Sequence, residues 1–196
     1  MARMKMVDTD TVDPELKDVF EAMKQRGTVL NVYRMMAWSP RLAKVWAPFA
    51  RGLRNDLSVP RRLRELLIVQ IACRHESRYE YGHHAHMALA EGVTQAQLSA
   101  LPHWRDSPQR FDADESLVLE LADDLTHARG ASAATMQALI ARFGEKQVME
   151  LLATGAFYCA VARIVNSLDC ELEPEAGEPR AGEPRAGELQ ALPPAA

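Results

Sequence analysis

The stretch from Pro60 to Gly92, PRRLRELLIVQIACRHESRYEYGHHAHMALAEG, limits the possible folds more than any other part of the chain. Leu63, Leu66, Leu67, Gln70 and Ile71 recur at helical spacing after an arginine-dense turn at Arg61, Arg62 and Arg64. The pattern breaks at Arg74–Ser77 and restarts as a second helix that Gly92 ends. Ser77-Arg78-Tyr79-Glu80 fits a capping box, in which Ser77 caps the helix and Glu80 reaches back to the Ser77 amide. Two helices joined at a polar elbow form a hairpin, and its second arm holds Glu80, His83, His84 and His86. A functional site is expected at that elbow.

The rest of the chain keeps the same period. Asp13-Pro14 starts a helix with Leu16, Val19, Phe20 and Met23 on one face, ended by Gly27. Val29–Trp38 is a short apolar helix or turn. Ser39-Pro40 starts another, with Leu42, Val45, Trp46, Phe49 and Leu53 on its buried side and a kink at Pro48. Thr94–Gln97 and Asp112–Glu115 are further capping boxes, and Pro102–Phe111 between them is the longest internal connection and a candidate lid. A helix over Met136–Phe143 ends at Gly144, and a long apolar helix runs from about 145 to 168. No segment alternates as a strand does, so the predicted fold class is all-α.

At 196 residues the chain makes one ordinary domain, assigned to residues 13–172. Residues 1–12 read as a flexible lead, and 173–196, with its AGEPR repeat, as a disordered tail. A net charge of −4 argues against a nucleic-acid surface. No secretory signal and no window of about 20 apolar residues is apparent. Cys73, Cys159 and Cys170 form neither a C-x-x-C nor a zinc spacing, which predicts buried thiols in a reducing cytoplasm.

Glu80 and His84 are four residues apart and share a helix face, an arrangement that orients an imidazole for proton transfer. The plainer reading keeps Glu80 as a cap partner and His84 as its packing neighbour. His83, His84 and His86 lack the i,i+4 pairing of two histidines used by helical zinc sites, so no metal is expected. Glu65 reads either as a second carboxylate near the site or as a surface group paired with Arg61 or Arg62. Trp38, Trp46, Phe49, Met35 and Met36 read as core.

Arg64-Glu65, then Tyr79-Glu80-Tyr81 with His84, then Ala88…Gly92, resemble the carboxymuconolactone decarboxylase family, which shares its fold with alkylhydroperoxidase D-like proteins. The resemblance covers most of residues 13–172. It implies an alkylhydroperoxidase D-like helical bundle around the central hairpin, assembled as a homo-oligomer, a trimer or hexamer. The family's peroxidases carry C-x-x-C before the histidine. Those positions fall here on Ser77 and Glu80, and the upstream glutamate falls on Glu65.

The implied activity is a cofactor-free lyase, decarboxylase-like, or an isomerase acting on a small carboxylated molecule. Glu65, Glu80 and His84 are then the catalytic residues. Arg64, Ser77, Tyr81 and His83 contact substrate, with Arg64 clamping a carboxylate. The alternatives are a peroxidase-like antioxidant protein and a non-catalytic oligomeric binding module. No cofactor, nucleic acid or membrane partner is expected.

Overall fold

The computed structural model describes residues 2–173, so the AGEPR tail lies outside the described residues apart from Glu173. Eight helices make up the fold, with no strand among the described residues. They are α1 (Lys17–Lys24), α2 (Asn31–Met36), α3 (Pro40–Asn55), α4 (Arg61–Arg74), α5 (Arg78–Ala90), α6 (Gln95–Ala100), α7 (Ala113–His127) and α8 (Ala133–Leu168).

Helix α4 is the axis of the bundle. Every residue from Leu63 to Ala72 is buried, whichever face it lies on, because α5, α7 and α8 pack around it. A helix wrapped on all sides needs apolar residues throughout, which is why LLIVQIA reads as a continuous run. Its one fully buried amide, Gln70, donates to Asp123 of α7 at 2.9 Å. Close approach of α8 depends on Gly155, where an added Cβ would lie 2.4 Å from a Leu125 methyl carbon.

The hairpin elbow falls where expected. Glu76 takes a left-handed conformation (φ 50°), and Ser77 N–H donates to Ala72 O at 2.8 Å. The far end of α5 closes at Gly92 (φ 91°), with Val93 N–H on Ala88 O and Gly92 N–H on Leu89 O. That paired bonding is the Schellman stop, which favours glycine at the left-handed position. The capping boxes Thr94–Gln97 and Asp112–Glu115 both form. Gly144 (φ 71°) divides α8 where the sequence separates two helices.

Several expectations need correction. In α3 the buried positions are Ala43, Ala47, Ala50 and Leu53, whereas Leu42 (45%), Val45 (67%) and Phe49 (52%) face outward. Small alanines let the helix lie close to its neighbours, while Leu42, Val45 and Phe49 turn away. Trp38 is also exposed, its indole N–H donating to Lys5 O at 2.7 Å. Residues 101–111 are no lid. They form two 3-10 turns whose Trp104 and Arg105 donate to the Asp123 carboxylate, which also binds Arg74. Those donors outweigh burial and hold Asp123 down at about 2.

By length and composition α8 is apolar enough to cross a membrane, contrary to the sequence reading. It is broken at Gly144, however, and packs against α4 and α7. The N-terminal segment crosses the bundle surface, with Arg3 N–H on Leu168 O and Val7 N–H on Arg34 O.

Candidate active site

The hairpin brings Glu65 of α4 and His84 of α5 together across the elbow's inner face. Glu65 is almost wholly buried, and its Oε2 lies 2.7 Å from His84 Nδ1. Burial alone would raise its pKa, but His84 and then Arg61 more than offset this and hold it below the usual carboxylate value. An ionised carboxylate only accepts hydrogen bonds, so Nδ1 carries the proton and Nε2 faces the other way. The surface reading of Glu65 is thereby excluded.

On that other side lies Glu80, its Oε2 3.8 Å from His84 Nε2. Glu80 is displaced upward. Burial dominates over the opposing pull of His84, His83 and Arg54, and the Glu173 charge adds to the rise. His84 therefore stands between two buried carboxyls pushed in opposite directions, Glu65 toward its ionised form and Glu80 toward its protonated form. Environments that separate two carboxyl groups in this way assign an acid and a base.

Glu80, His83 and His84 open onto a cavity of about 240 Å³. Val32, Trp46, Met87, Phe157 and Val161 are among its apolar walls, while Tyr33, Arg54, Tyr79 and Tyr158 add polar groups. Trp46 packs on Phe157 with ring centroids 4.7 Å apart, so it is a wall of the site as well as core. The His84 ring meets Tyr158 edge-on at 4.8 Å, which fixes its plane from the α8 side.

Three predicted substrate contacts are corrected. Arg64 is buried, and its Nε and Nη1 donate to backbone carbonyls: Leu53 O at 2.5 Å, Arg54 O at 2.7 Å and Val59 O at 3.1 Å. Through Nε and Nη1 it staples α3 to α4, and it is not among the residues lining the cavity. The arginine at the cavity is Arg54. Ser77 is fully buried, its hydroxyl without a hydrogen-bond partner, and the capping box with Glu80 does not form. Glu80 turns into the cavity instead of back along the chain. Tyr81 lies near Cys73, away from the cavity, and Tyr79 takes the lining position. His83 does reach the cavity wall, where its Nε2 lies 2.8 Å from Glu173.

Residues 40–124 match the model of the carboxymuconolactone decarboxylase family, a span holding the hairpin with Glu65, Glu80 and His84. That segment is similar to the carboxymuconolactone decarboxylase family. The fold of the chain is the alkylhydroperoxidase D-like one. A peroxidase-related protein from Silicibacter sp. TM1040 superposes with a TM-score of 0.75 at 18% identity, over 89% of this chain and 92% of that one. An alkylhydroperoxidase D core protein from Ralstonia eutropha JMP134 gives 0.75 at 15% identity, over 88% and 92%. A cysteine-to-alanine variant of the debrominase Bmp8, in complex with 2,3,4-tribromopyrrole, gives 0.73 at 18% identity, over 88% and 94%. No curated protein matches the sequence.

No thiol among the described residues lines the cavity. Cys73 and Cys170 are both pushed up to about 12, each chiefly by burial, and burial also raises Cys159. None of the three is poised as a thiolate.

Arg54, Tyr158, Asn31 and Glu173 escaped the sequence reading. Tyr158 had a legible signal, as a phenol inside a long apolar helix. Arg54 preceded an evident chain break and looked like an ordinary helix-end cation.

Proposed function

We propose that the chain is a lyase or isomerase that moves a proton on a small carboxylated molecule without using a thiol. One observation carries this reading. His84 is held by Glu65 at 2.7 Å and faces Glu80, whose pKa burial raises, at 3.8 Å, at the wall of a cavity lined by no cysteine among the described residues. The gap of 3.8 Å exceeds a direct hydrogen bond, so a substrate atom placed between Glu80 and His84 can be reached by both.

In a decarboxylation the electrons of the breaking C–C bond collect on an adjacent carbonyl oxygen as an enolate. Arg54, in the same cavity, supplies positive charge for that oxygen, and its effect is strengthened by the apolar walls. Glu80 holds the proton that the enolate carbon then takes. In an isomerisation His84 Nε2 first removes a proton, and Glu80 returns one elsewhere. Glu65 stays ionised throughout and stabilises the imidazolium when it forms. The tribromopyrrole bound by the debrominase supports a small, flat organic molecule as the kind of ligand this fold admits.

The test is turnover of a panel of 3-oxo carboxylic acids and unsaturated lactone carboxylates, followed by CO2 release and proton NMR. Wild type and a variant with Cys73, Cys159 and Cys170 all changed to Ser are expected to act alike. His84→Gln is expected to lose about a hundredfold or more. Peroxide reduction that disappears in the cysteine-free variant would replace this reading with the antioxidant one.

A further inference from the structure

The last described residues run back across the mouth of the hairpin and deliver a carboxylate to it. Asn31 Nδ2 donates to Glu171 O at 2.9 Å. Leu172 sits directly over Gly82 of α5, where an added Cβ would come within 2.8 Å of a leucine methyl carbon. Glu173 then enters a cradle of donors from two helices. Its Oε1 accepts from Asn31 N–H at 2.5 Å and from Tyr79 Oη–H at 2.8 Å, and its Oε2 lies 2.8 Å from His83 Nε2.

The cradle is shaped for a carboxylate. Tyr79 Oη accepts from Val32 N–H at 3.2 Å, which leaves its own proton for an acceptor on the other side. Tyr79 is largely buried, as is His83, and the two rings meet edge-on at 4.6 Å, so neither donor is free to turn away. Both also line the cavity beside Glu80 and His84. A carboxylate in the cradle is thus at the edge of the reaction chamber.

We propose that Asn31 N–H, Tyr79 Oη–H and His83 form the subsite for a substrate carboxylate, and that Glu173 occupies it in the resting chain as a built-in competitor. The proposal deepens the lyase reading by naming the anchor of its substrate. The anchored carboxylate is the one retained, because the cradle's two donors, Asn31 N–H and Tyr79 Oη–H, with His83 close by, stabilise negative charge and so oppose its loss as CO2. The substrate class is accordingly a small monocarboxylate for isomerisation, or a dicarboxylate when one carboxyl leaves.

Two observations support the exchange. Burial opposes the Glu173 charge, yet His83 and the Asn31 N–H hold this carboxyl down at about 2, so the cradle favours an anion. The same charge helps to keep Glu80 protonated. A substrate carboxylate in that place therefore preserves the acid that the reaction needs.

The experiment is calorimetric titration of the full chain with benzoate, and with benzyl alcohol as the uncharged match, while the Asn31 amide is followed by NMR. Glu173→Ala is expected to bind benzoate at least about tenfold more tightly than wild type, the loss of a charged hydrogen-bonding competitor. Benzyl alcohol is expected to bind both forms alike. Adding Tyr79→Phe to Glu173→Ala should cost about tenfold in benzoate affinity. Gly82→Ala places a methyl where Leu172 sits and leaves the cradle intact, so it serves as an independent way to unseat the strap. Equal benzoate affinity in wild type, Glu173→Ala and Gly82→Ala, or benzyl alcohol binding as tightly as benzoate, would overturn the proposal. Tight benzoate binding without turnover of any 3-oxo dicarboxylic acid or unsaturated lactone carboxylate would refute the lyase or isomerase reading and leave the cradle standing.

Discussion

Replacing each buried carboxyl beside His84 with its amide should change stability in opposite directions as pH rises. Glu65 has a folded pKa below its ordinary value of 4.5, so its contribution is present above that value and is lost as pH falls through the folded one. Glu65→Gln removes a charge-assisted bond to His84 in a fully buried position. Such bonds contribute about 1.5–3 kcal/mol, so the variant should melt about 3–12 °C lower at neutral pH. That difference should shrink in acid. Glu80 has the opposite sign. Its folded pKa is raised, so its contribution is present below 4.5 and is lost as pH rises through the folded value. Gln mimics the protonated carboxyl, so Glu80→Gln should match wild type within about 0.5 kcal/mol in acid. It should become the more stable protein as pH rises. Circular-dichroism melting from about pH 2 to pH 8 follows both differences on either side of the ordinary carboxylate range. Parallel curves for Glu80→Gln and wild type, or no cost of Glu65→Gln at neutral pH, would refute the assignment of the two charge states.

Two other outcomes follow from the geometry. Arg64→Lys cannot reach three carbonyls held by a planar fork, so it should lower stability by about 2–4 kcal/mol in chemical denaturation while leaving benzoate affinity at the cradle unchanged. Weaker benzoate binding would restore Arg64 as a carboxylate clamp. The implied homo-oligomer would bury Leu42, Val45 and Phe49, three exposed apolar residues on one face of α3. Val45→Glu should then shift the mass measured by light scattering toward the monomer, and an unchanged mass would place the interface elsewhere.

Much of the fold was legible because helical period, caps and glycine stops are local signals. The elbow at 74–77, the capping boxes at Thr94 and Asp112 and the break at Gly144 all lie where the sequence puts them. Glu65, Glu80 and His84 could be named from spacing and resemblance together. What spacing could not give was which way a side chain turns at a buried helix start. Ser77 and Glu80 fit a capping box, yet Glu80 is drawn into a cavity that other helices create. Arg64 and Arg54 are a similar case. Both are arginines near one chain break, and only the packing of α3 on α4 decides which binds backbone and which meets the cavity. The α3 face was misread because the largest apolar residues were assumed to be inside. Glu173 was invisible because its partners Asn31 and Tyr79 lie 142 and 94 residues away in sequence.

The central claim is that His84 stands between two carboxyls with opposed shifts, Glu65 favoured as the ion and Glu80 favoured as the acid. Infrared difference spectroscopy on glutamate-labelled protein at neutral pH tests it without any substrate. The account predicts a protonated carboxyl C=O band in wild type that vanishes in Glu80→Gln and persists in Glu65→Gln. A spectrum without that band, or one in which Glu65→Gln removes it, would contradict the account.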